Sequence, residues 1–404
     1  MGLQERIDGH TNLAVDDIAL DRERLARLQA AIAVAGYGAA LFYDPTNIRY
    51  ATGTSNMQVY AGHNACRYVF VPAEGPVILF EFSGCEHLSQ GHPTVGEIRP
   101  AISWYYFVSG PRVSEQAQLW AAEIADLVKR HAGGDNRLAV DRLDPLGATE
   151  LQRLGIALED GQAVIAAAKR IKGEQEIRAI RNAVSCCDES LRRMRAALKP
   201  GITERALWSH LHQANIELGG EWIETRLLTS GPRTFPWYQE CGDRVIQDGE
   251  LVSFDTDLVG AHGYSADISR SWITGDRRAS DQQRRLYAEA HATLEHNIPL
   301  FRPGATFLEI AEQARILPEP FAAYSLPALA HGIGLVNEYP LILSRRDWDR
   351  YGYDDIIEPG MVLCVESYAA DGICGQGVKL EQQMLVNEDG PELLSGYPLE
   401  DWLL

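Results

Sequence analysis

The sequence is poor in positive charge. It has 37 lysines and arginines against 56 aspartates and glutamates, which gives a formal net charge of −19 at pH 7. So large an acidic excess is repelled by nucleic acid and by anionic membranes, and neither is expected as the main partner. The same balance fits a cytoplasmic enzyme, although charge alone specifies no activity.

Long apolar runs and paired cysteine motifs are also missing. No stretch is apolar for long enough to span a bilayer, and the opening MGLQERIDGHTNLAVDDIAL lacks the apolar core of a signal peptide. The seven cysteines are an odd number without C-x-x-C spacing, so free thiols in a reducing compartment are expected. We therefore expect a cytoplasmic protein with no membrane partner.

The length of the chain predicts two domains, because 404 residues exceed one ordinary core. Residues 1–165 alternate helices and strands, with a helix then a strand in RLARLQAAIAVAGYGAALFY and a hairpin in RYVFVPAEGPVILFEF. This pattern is typical of an α/β domain. Residues 166–404 open with a long amphipathic helix, EQEIRAIRNAVSCCDESLRRMRAAL, whose apolar residues recur at steps of three and four.

The second domain contains a weak internal duplication. LKPGITERALWSHL (198–211) and FRPGATFLEIAEQA (301–314) each follow a helix with a basic residue, Pro-Gly and a threonine before a second helix. This predicts an α+β domain of two helix–turn–helix–sheet halves that face each other across a cleft. The alternative is a chance likeness between two Pro-Gly helix ends.

Six candidate metal ligands lie in the second domain. FDTDLVGAHGYSADISRSW (254–272) has the pattern of a hairpin, and residues two apart on a strand point to the same face. The first two aspartates should therefore project together, with the third returning beside them. ALAHGIGL places a histidine in a glycine-flanked turn, and PGMVLCVES and GVKLEQQMLV predict a second hairpin. The candidates are Asp255, Asp257, Asp267, His331, Glu366 and Glu381.

The set contains five carboxylates and one imidazole, and the carboxylates would repel each other unless a cation lies between them. Such an oxygen-rich set suits Mn²⁺, Fe²⁺ or Co²⁺, or zinc in a dinuclear site, where carboxylates neutralise two divalent ions and set their separation. Taken singly, each residue has an ordinary explanation: a strand-edge aspartate, a core histidine, or a structural role for Glu366. The six together favour a divalent metal centre.

These motifs resemble, in order, those of the creatinase/prolidase/methionine aminopeptidase superfamily over about residues 165–395. DPTNIRYATG (44–53) also resembles the creatinase-type N-terminal domain. The resemblance implies the pseudo-two-fold pita-bread fold, usually a homodimer, and a metal-dependent mechanism, since creatinase and ectoine hydrolase lack most of the ligand groups. The metal ligands that it implies are Asp255, Asp267, His331, Glu366 and Glu381.

Three positions separate the chain from the peptidases of this superfamily. Trp237 and Asn337 stand where the peptidases carry histidines that assist the substrate, and Asp257 stands where they have glycine. Asp-x-Asp with GPRTxPW and HGxGxxxEYP instead resembles the superfamily's dimethylsulfoniopropionate lyases, in which Asp257 would be a sixth ligand. The resemblance implies a small zwitterionic substrate that is cleaved by β-elimination to dimethyl sulfide and acrylate.

Several side chains are candidates for binding this substrate. Five carboxylates against two divalent ions leave one negative charge, which would favour a cationic substrate group or a trivalent metal. Trp237 offers a π face to an onium group, worth on the order of 0.5–2 kcal/mol, with plain packing as the alternative. Tyr339 is a second candidate. In the first domain, Tyr60 and SWYYFV (103–108) are candidates to cap the partner subunit's cleft, with core or dimer packing as the alternative.

The catalytic base is the least determined residue. The resembling lyases are expected to have an aspartate at the position of Asn337, and an amide accepts no proton at neutral pH. Metal-bound hydroxide, Tyr264, Tyr339 and Glu338 remain as alternatives, beside His331 as a ligand within the catalytic centre. The leading hypothesis is a metal-dependent carbon–sulfur lyase. The others are a dinuclear metallohydrolase that attacks an Xaa-Pro peptide or a small amide with a bridging hydroxide, and a non-catalytic binding module.

Overall fold

The computed structural model describes residues 5–7, 10–63 and 65–404. The chain divides into two compact units, one formed by Val15–Lys169 and the other by Met1–Ala14 with Arg170–Leu404. The boundary expected after residue 165 falls inside the helix Gly161–Lys169. That helix packs against the helix Asp17–Val34, so it belongs to the first unit up to its last residue.

A short antiparallel hairpin near the start of the chain belongs to the second unit. It consists of β1 (Glu5–Ile7) and β2 (His10–Asn12). The N–H of Leu13 donates to Asn182 Oδ1 at 2.6 Å, and Asn182 Nδ2 donates to the carbonyl of Leu13 at 2.9 Å. These two hydrogen bonds attach the segment before residue 15 to the second unit, which the sequence pattern did not predict.

The unit Val15–Lys169 is an α/β domain built on one sheet. Its elements are α1 (Asp17–Val34), β3 (Ala39–Phe42), α2 (Pro45–Thr52), β4 (Tyr68–Pro72), β5 (Ile78–Glu81), β6 (Glu97–Pro100), α3 (Tyr106–Ser109), α4 (Val113–His131), β7 (Arg137–Val140), α5 (Pro145–Arg153), β8 (Ala157–Asp160) and α6 (Gly161–Lys169). The strand order is β6-β5-β4-β3-β7-β8. β4 and β5 form the expected antiparallel hairpin, and the helix-then-strand order of α1 and β3 is also confirmed.

Local sequence explains where the helices of this unit begin and end. Asp16 caps α1 by accepting from the N–H of Ala19, and Asp44 caps α2 through the N–H of Thr46. Gly53 ends α2 in the left-handed region at φ 70°, which costs glycine little. The apolar face of α4, with Trp120 fully buried, covers the sheet.

The second unit holds the remaining elements. They are α7 (Glu174–Ala197), α8 (Glu204–Glu217), β9 (Trp222–Ile223), β10 (Leu228–Ser230), β11 (Leu251–Phe254), β12 (Leu258–Val259), β13 (Ser265–Ala266), β14 (Arg270–Ile273), α9 (Asp281–Asn297), α10 (Phe307–Gln313), β15 (Ala328–Ile333), β16 (Asn337–Leu343), α11 (Arg345–Tyr351), β17 (Val362–Asp371), β18 (Gln376–Asn387) and β19 (Gly390–Leu393). The strands form two three-stranded sheets, β10-β11-β14 and β13-β12-β9, and a five-stranded sheet, β16-β15-β17-β18-β19. The long helix expected at the start of this unit is α7. Within the described residues, no helix is both long and apolar enough to pass through a bilayer.

The two halves of this unit repeat one local structure. Thr203 caps α8 by accepting from the N–H of Ala206, and Thr306 caps α10 in the same way, each at 3.1 Å. Each threonine also forms an isolated antiparallel bridge, Thr203 to Val245 and Thr306 to Ile356. The likeness of the two Pro-Gly segments therefore extends to capping and pairing, as the pseudo-two-fold pita-bread fold requires.

Thr203 provides a test of this repeated cap. Replacing Thr203 with Ala removes the hydroxyl that holds the N–H of Ala206, so the free energy of unfolding is expected to fall by about 1 kcal/mol. Urea unfolding measures the change, and Thr203→Ser, which keeps the hydroxyl, serves as the matched control. Equal losses in both variants would show that the methyl group, not the cap, stabilises the helix.

Candidate metal centre

Three predicted ligands lie on adjacent strands of the five-stranded sheet. Glu366 on β17 and Glu381 on β18 are direct cross-strand partners, and His331 on β15 pairs with Cys364, two residues before Glu366. Residues two apart share a face of a strand, so the three side chains converge. His331 Nε2 lies 3.6 Å from Glu366 Oε1 and 3.4 Å from Glu381 Oε1. The hairpin expected around these glutamates is confirmed as β17 and β18.

His331 lies inside a strand, and the expectation of a glycine-flanked turn was wrong. A β-bulge separates the cross-strand pairs made by His331 and by Gly332. A Cβ at Gly332 would stand 2.4 Å from the carbonyl oxygen of Tyr339. The glycine therefore permits a close approach of β16 instead of reversing the chain, and sequence alone does not distinguish these two uses.

The three aspartates come from a hairpin that is interrupted on both sides at the same level. Residues 255–257 separate β11 from β12, and residues 267–269 separate β13 from β14. Asp255 and Asp257 therefore lie in a break, not on one face of a strand as expected. Asp257 adopts φ 37°, in the left-handed region. At this break the chain passes from one three-stranded sheet to the other.

The breaks release backbone groups that then bond to side chains of the site. The N–H of Asp257 donates to Asp267 Oδ1 at 3.3 Å, and the N–H of Asp267 donates to Gln383 Oε1 on β18 at 3.1 Å. Asp267 Oδ2 lies 3.7 Å from His331 Nε2. The interrupted hairpin and the five-stranded sheet thus bring their ligands to one place.

Burial and mutual repulsion control the protonation of this cluster. Burial, and then the neighbouring carboxylates, raise the pKa of Asp255 and of Asp267. Burial and the charge of Asp255 raise the pKa of Asp257 to about 7. Burial alone would lower the pKa of His331, but Glu381 and Glu366 raise it to about 9. Without metal, the cluster therefore holds protons that a cation would displace.

Lys379 lies among the candidate ligands, and the sequence predicted no role for it. It is fully buried, and its Nζ lies 2.7 Å from Glu381 Oε2, 3.1 Å from Asp255 Oδ2 and 3.3 Å from Glu366 Oε2. These carboxylates raise the pKa of Lys379 although burial opposes them, so it stays charged. The signal was present in the sequence, because Lys379 lies two residues before Glu381 on the same face of β18.

Hydroxyl groups hold three of the carboxylates in place. Ser269 Oγ lies 2.6 Å from Asp255 Oδ1 and 2.8 Å from Glu381 Oε2, and Thr225 Oγ1 donates to Asp257 Oδ2 at 2.5 Å. These contacts orient oxygens that would otherwise be free to rotate. Residues 225 and 269 carried no recognisable motif, so only the structure identifies them.

The donor set fits a metal ion. Glu381 Oε1 is buried and accepts no hydrogen bond from any described residue, although His331 Nε2 lies near it. Ligand atoms of Asp255, Asp267 and Glu381 all lie within 4.8 Å of one another. An unsatisfied buried carboxylate oxygen among other carboxylates is what a bound cation would satisfy.

Trp237 lies beside this cluster. Its ring centroid is 5.9 Å from Lys379 Nζ and 5.7 Å from the ring of Tyr368, and Trp237 itself is only 8% exposed. The next residue, Tyr238, is 67% exposed and adopts φ 66°. Although Tyr238 is largely exposed, partial desolvation and then the charge of Glu366 raise its pKa, so its hydroxyl keeps its proton at neutral pH.

The side chains considered as a base are engaged with other groups. Tyr264 donates to Glu176 at 2.8 Å, and Tyr339 donates to Asp355. Glu338 accepts from Lys172 Nζ at 2.7 Å. Asn337 is exposed at the start of β16. The hydrogen bonds named here for Tyr264, Tyr339 and Glu338 thus go to groups outside the carboxylate cluster.

The aromatic residues noted in the N-terminal half belong to the unit Val15–Lys169. Tyr60 accepts a hydrogen bond from Arg49 at 3.4 Å within that unit. Trp104 is buried in the core, whereas Tyr106 and Phe107 are 71% and 85% exposed. Core packing therefore explains Trp104 but not the two residues that follow Tyr105.

Family models match both parts of the chain. Residues 178–388 match metallopeptidase family M24, and residues 24–170 match the creatinase/prolidase N-terminal domain. The M24 match contains all six predicted metal ligands.

Similar proteins are found by sequence and by structure. The dimethylsulfoniopropionate lyase DddP of Roseovarius nubinhibens is 41% identical over 97% of this chain and 89% of its own length. DddP of Roseobacter denitrificans is 40% identical over 96% of this chain and 88% of its own length. The Xaa-Pro dipeptidase from Bacillus anthracis superposes with a TM-score of 0.76 at 22% identity, covering 94% of this chain and 99% of the dipeptidase. The last likeness concerns the fold alone.

The pKa of Asp257 predicts how the stability of the metal-free protein depends on pH. The folded-state pKa of about 7 lies above the ordinary value of 3.8, so the stabilisation from the bound proton is lost as the pH rises through 7. Asp257→Asn should therefore stabilise the metal-free protein more at pH 8 than at pH 5.5, by on the order of 1–2 kcal/mol. Urea unfolding in chelator measures this, with exposed Asp389→Asn as the control. A difference that does not change with pH would contradict the prediction.

Lys379 gives a second prediction. Lys379→Met removes the only lysine charge in contact with the cluster among the residues described, and should cost the metal-free protein roughly 3 kcal/mol or more. Added Mn²⁺ or Zn²⁺ should recover part of this loss, because it supplies positive charge to the same carboxylates. Thermal unfolding with and without metal tests both points, and exposed Lys199→Met is the control. An unchanged melting temperature in chelator would contradict the assigned role.

Proposed function

We propose that this chain, which belongs to metallopeptidase family M24, is a metal-dependent lyase. It would cleave dimethylsulfoniopropionate to dimethyl sulfide and acrylate. The observation that carries the proposal is the full-length similarity to two proteins named for this activity. The site supports it, since Trp237 and Asn337 replace the two histidines expected of the peptidases and Asp257 extends the ligand set. The proposed reaction needs no peptide bond in its substrate.

We propose two divalent ions, iron, manganese, cobalt or zinc, held by the five carboxylates and His331. Five ionised carboxylates and the Lys379 ammonium sum to −4, which two divalent ions balance at +4. The excess negative charge expected from sequence therefore disappears once Lys379 is counted. A neutral loaded site suits a zwitterion, whose own charges also cancel. When bound, the metal would stabilise negative charge that develops on the substrate carboxylate.

The chain's own residues would orient the sulfonium end of the substrate. Trp237 lies next to the cluster and presents an aromatic surface, to which an onium group is attracted by on the order of 0.5–2 kcal/mol. Lys379 already lies over that ring at 5.9 Å, so the substrate would approach another part of it. Tyr238, with its proton retained, can donate a hydrogen bond to the substrate carboxylate.

The base is proposed to belong to the carboxylate cluster. Tyr264, Tyr339 and Glu338 are each engaged elsewhere, and the amide of Asn337 takes no proton. A carboxylate of the cluster that lies next to the α-carbon of the bound substrate would accept the proton. Proton removal from Cα, formation of the Cα=Cβ bond and departure of neutral dimethyl sulfide complete the elimination.

A headspace assay tests this function. Iron- or manganese-loaded protein given dimethylsulfoniopropionate is expected to release dimethyl sulfide and acrylate in equal amounts. His331→Ala should lose metal and activity together, because a ligand is removed, whereas His291→Ala on α9 should keep both. Protein with verified metal content that releases no dimethyl sulfide would overturn the proposal.

Asn337→Asp separates the two accounts of the base. If the cluster supplies the base, this variant should change kcat only about threefold or less, since position 337 then takes no proton. A large increase would instead show that Asn337 limits the wild-type enzyme. Turnover of Xaa-Pro dipeptides or cyclic amides, with no dimethyl sulfide, would favour the metallohydrolase alternative.

A homodimer is also proposed, as the family resemblance implies. Tyr106, Phe107 and Val108 are 71%, 85% and 53% exposed and adjoin one another in sequence. Exposed apolar groups of this kind commonly mark protein interfaces.

A further inference from the structure

A cavity lies beside the metal centre at a gap in the five-stranded sheet. β15 pairs with β17 only as far as Val365, and from Ser367 onward β17 pairs with β18 alone. The short helical turn Phe321–Tyr324 packs against the edge of β17 that has no strand partner there. Between them is a cavity of 340 Å³ whose inner end is lined by Glu366, Ser367 and Tyr368.

The walls of this cavity are largely apolar. Ala311, Ala314, Leu317, Leu326 and Leu329 line it. At its outer end is Ile316, which is 84% exposed, so the cavity reaches the surface of the unit. Apolar walls with an open end favour a small molecule that carries no charge.

Each arginine that lines the cavity already has a hydrogen-bond or ion-pair partner, which leaves it less available to an anion. Arg315 bonds to Glu289 at 2.5 Å, Arg345 to Asp349 at 2.9 Å, and Arg346 to the carbonyl of Ser325 at 3.0 Å. Arg346 also contacts Asp347 and Ala322, so it holds the segment that covers the cavity.

The cavity and the proposed sulfonium position share two neighbouring side chains. Leu326 and Tyr368 line the cavity, and both pack with Trp237 in one buried cluster. Ser367 also lines the cavity. The cavity therefore adjoins the side chains proposed to hold the sulfonium group.

We propose that this cavity receives the neutral thioether product and is its exit route, separate from the route of the carboxylate product. The inference rests on the proposed function. In the elimination the base takes the α-proton, the C–H electron pair forms the Cα=Cβ bond, and the Cβ–S bond breaks with its pair on sulfur. The positive sulfonium thereby becomes uncharged dimethyl sulfide and loses its attraction to the cluster. Acrylate keeps its charge and is not accepted by apolar walls beside Glu366.

Binding of dimethyl sulfide itself tests the cavity without turnover. Zinc-loaded protein in a sealed vial is expected to deplete dimethyl sulfide from the headspace in a saturable way. Ala314→Phe fills the cavity and should weaken this binding at least about tenfold. Ala288→Phe, at an exposed alanine of α9, is the matched control and should bind as the wild type does. Absence of saturable depletion, or equal binding by Ala314→Phe, would overturn the inference.

Kinetics give the second arm. In Ala314→Phe, kcat should fall by about fivefold or more with unchanged KM and metal content, because a blocked exit makes product release the slow step. Ile316→Trp narrows the exposed end and should act in the same direction, which provides a variant whose core is untouched. Both variants with wild-type kcat would overturn the exit role.

The two arms distinguish failure of this inference from failure of the proposed function. Saturable binding that Ala314→Phe abolishes, in a protein that releases no dimethyl sulfide from dimethylsulfoniopropionate, would retain the thioether site and reject the lyase. An active lyase without such binding would reject the cavity and retain the function.

Discussion

Repulsion among buried carboxylates is the constraint on which the second unit depends. Asp255, Asp267 and Glu381 approach within a few ångströms in a place that water hardly reaches. Such an arrangement is costly unless positive charge is supplied from within. The chain supplies part of it permanently through Lys379 and leaves the remainder to bound cations. Burial and the neighbouring carboxylates raise the pKa of Asp257, and the carboxylates raise that of His331 despite its burial.

The fold provides the opposing surfaces that this cluster needs. One half contributes a hairpin that is broken on both strands, and the other contributes three neighbouring strands of a continuous sheet. The breaks have a double use, since they place the aspartates and also turn the N–H groups of Asp257 and Asp267 towards the site. In a regular hairpin, those N–H groups would donate to carbonyl groups of the paired strand.

Charge also separates what the site binds from what it releases. With Lys379 counted, a centre loaded with two divalent ions is neutral, which suits a substrate whose charges cancel. Elimination destroys one of these charges and leaves the other, so the two products differ in the surroundings they prefer. The apolar gap next to Glu366, with its arginines already paired, matches the uncharged one.

The sequence by itself determined the two-domain fold class, the six candidate ligands and the departure from the peptidases, because these depend on residue types in ordered motifs. It wrongly predicted a turn at His331 and a continuous strand at Asp255 and Asp257. A glycine in the sequence is compatible with either a turn or a bulged strand, and an interruption of a strand leaves no clear sequence pattern. Only the tertiary structure decided that Lys379 lies among the carboxylates, that Tyr264, Tyr339 and Glu338 are engaged elsewhere, and that a cavity adjoins Glu366. These facts are distances between residues far apart in the chain, which local periodicity does not encode.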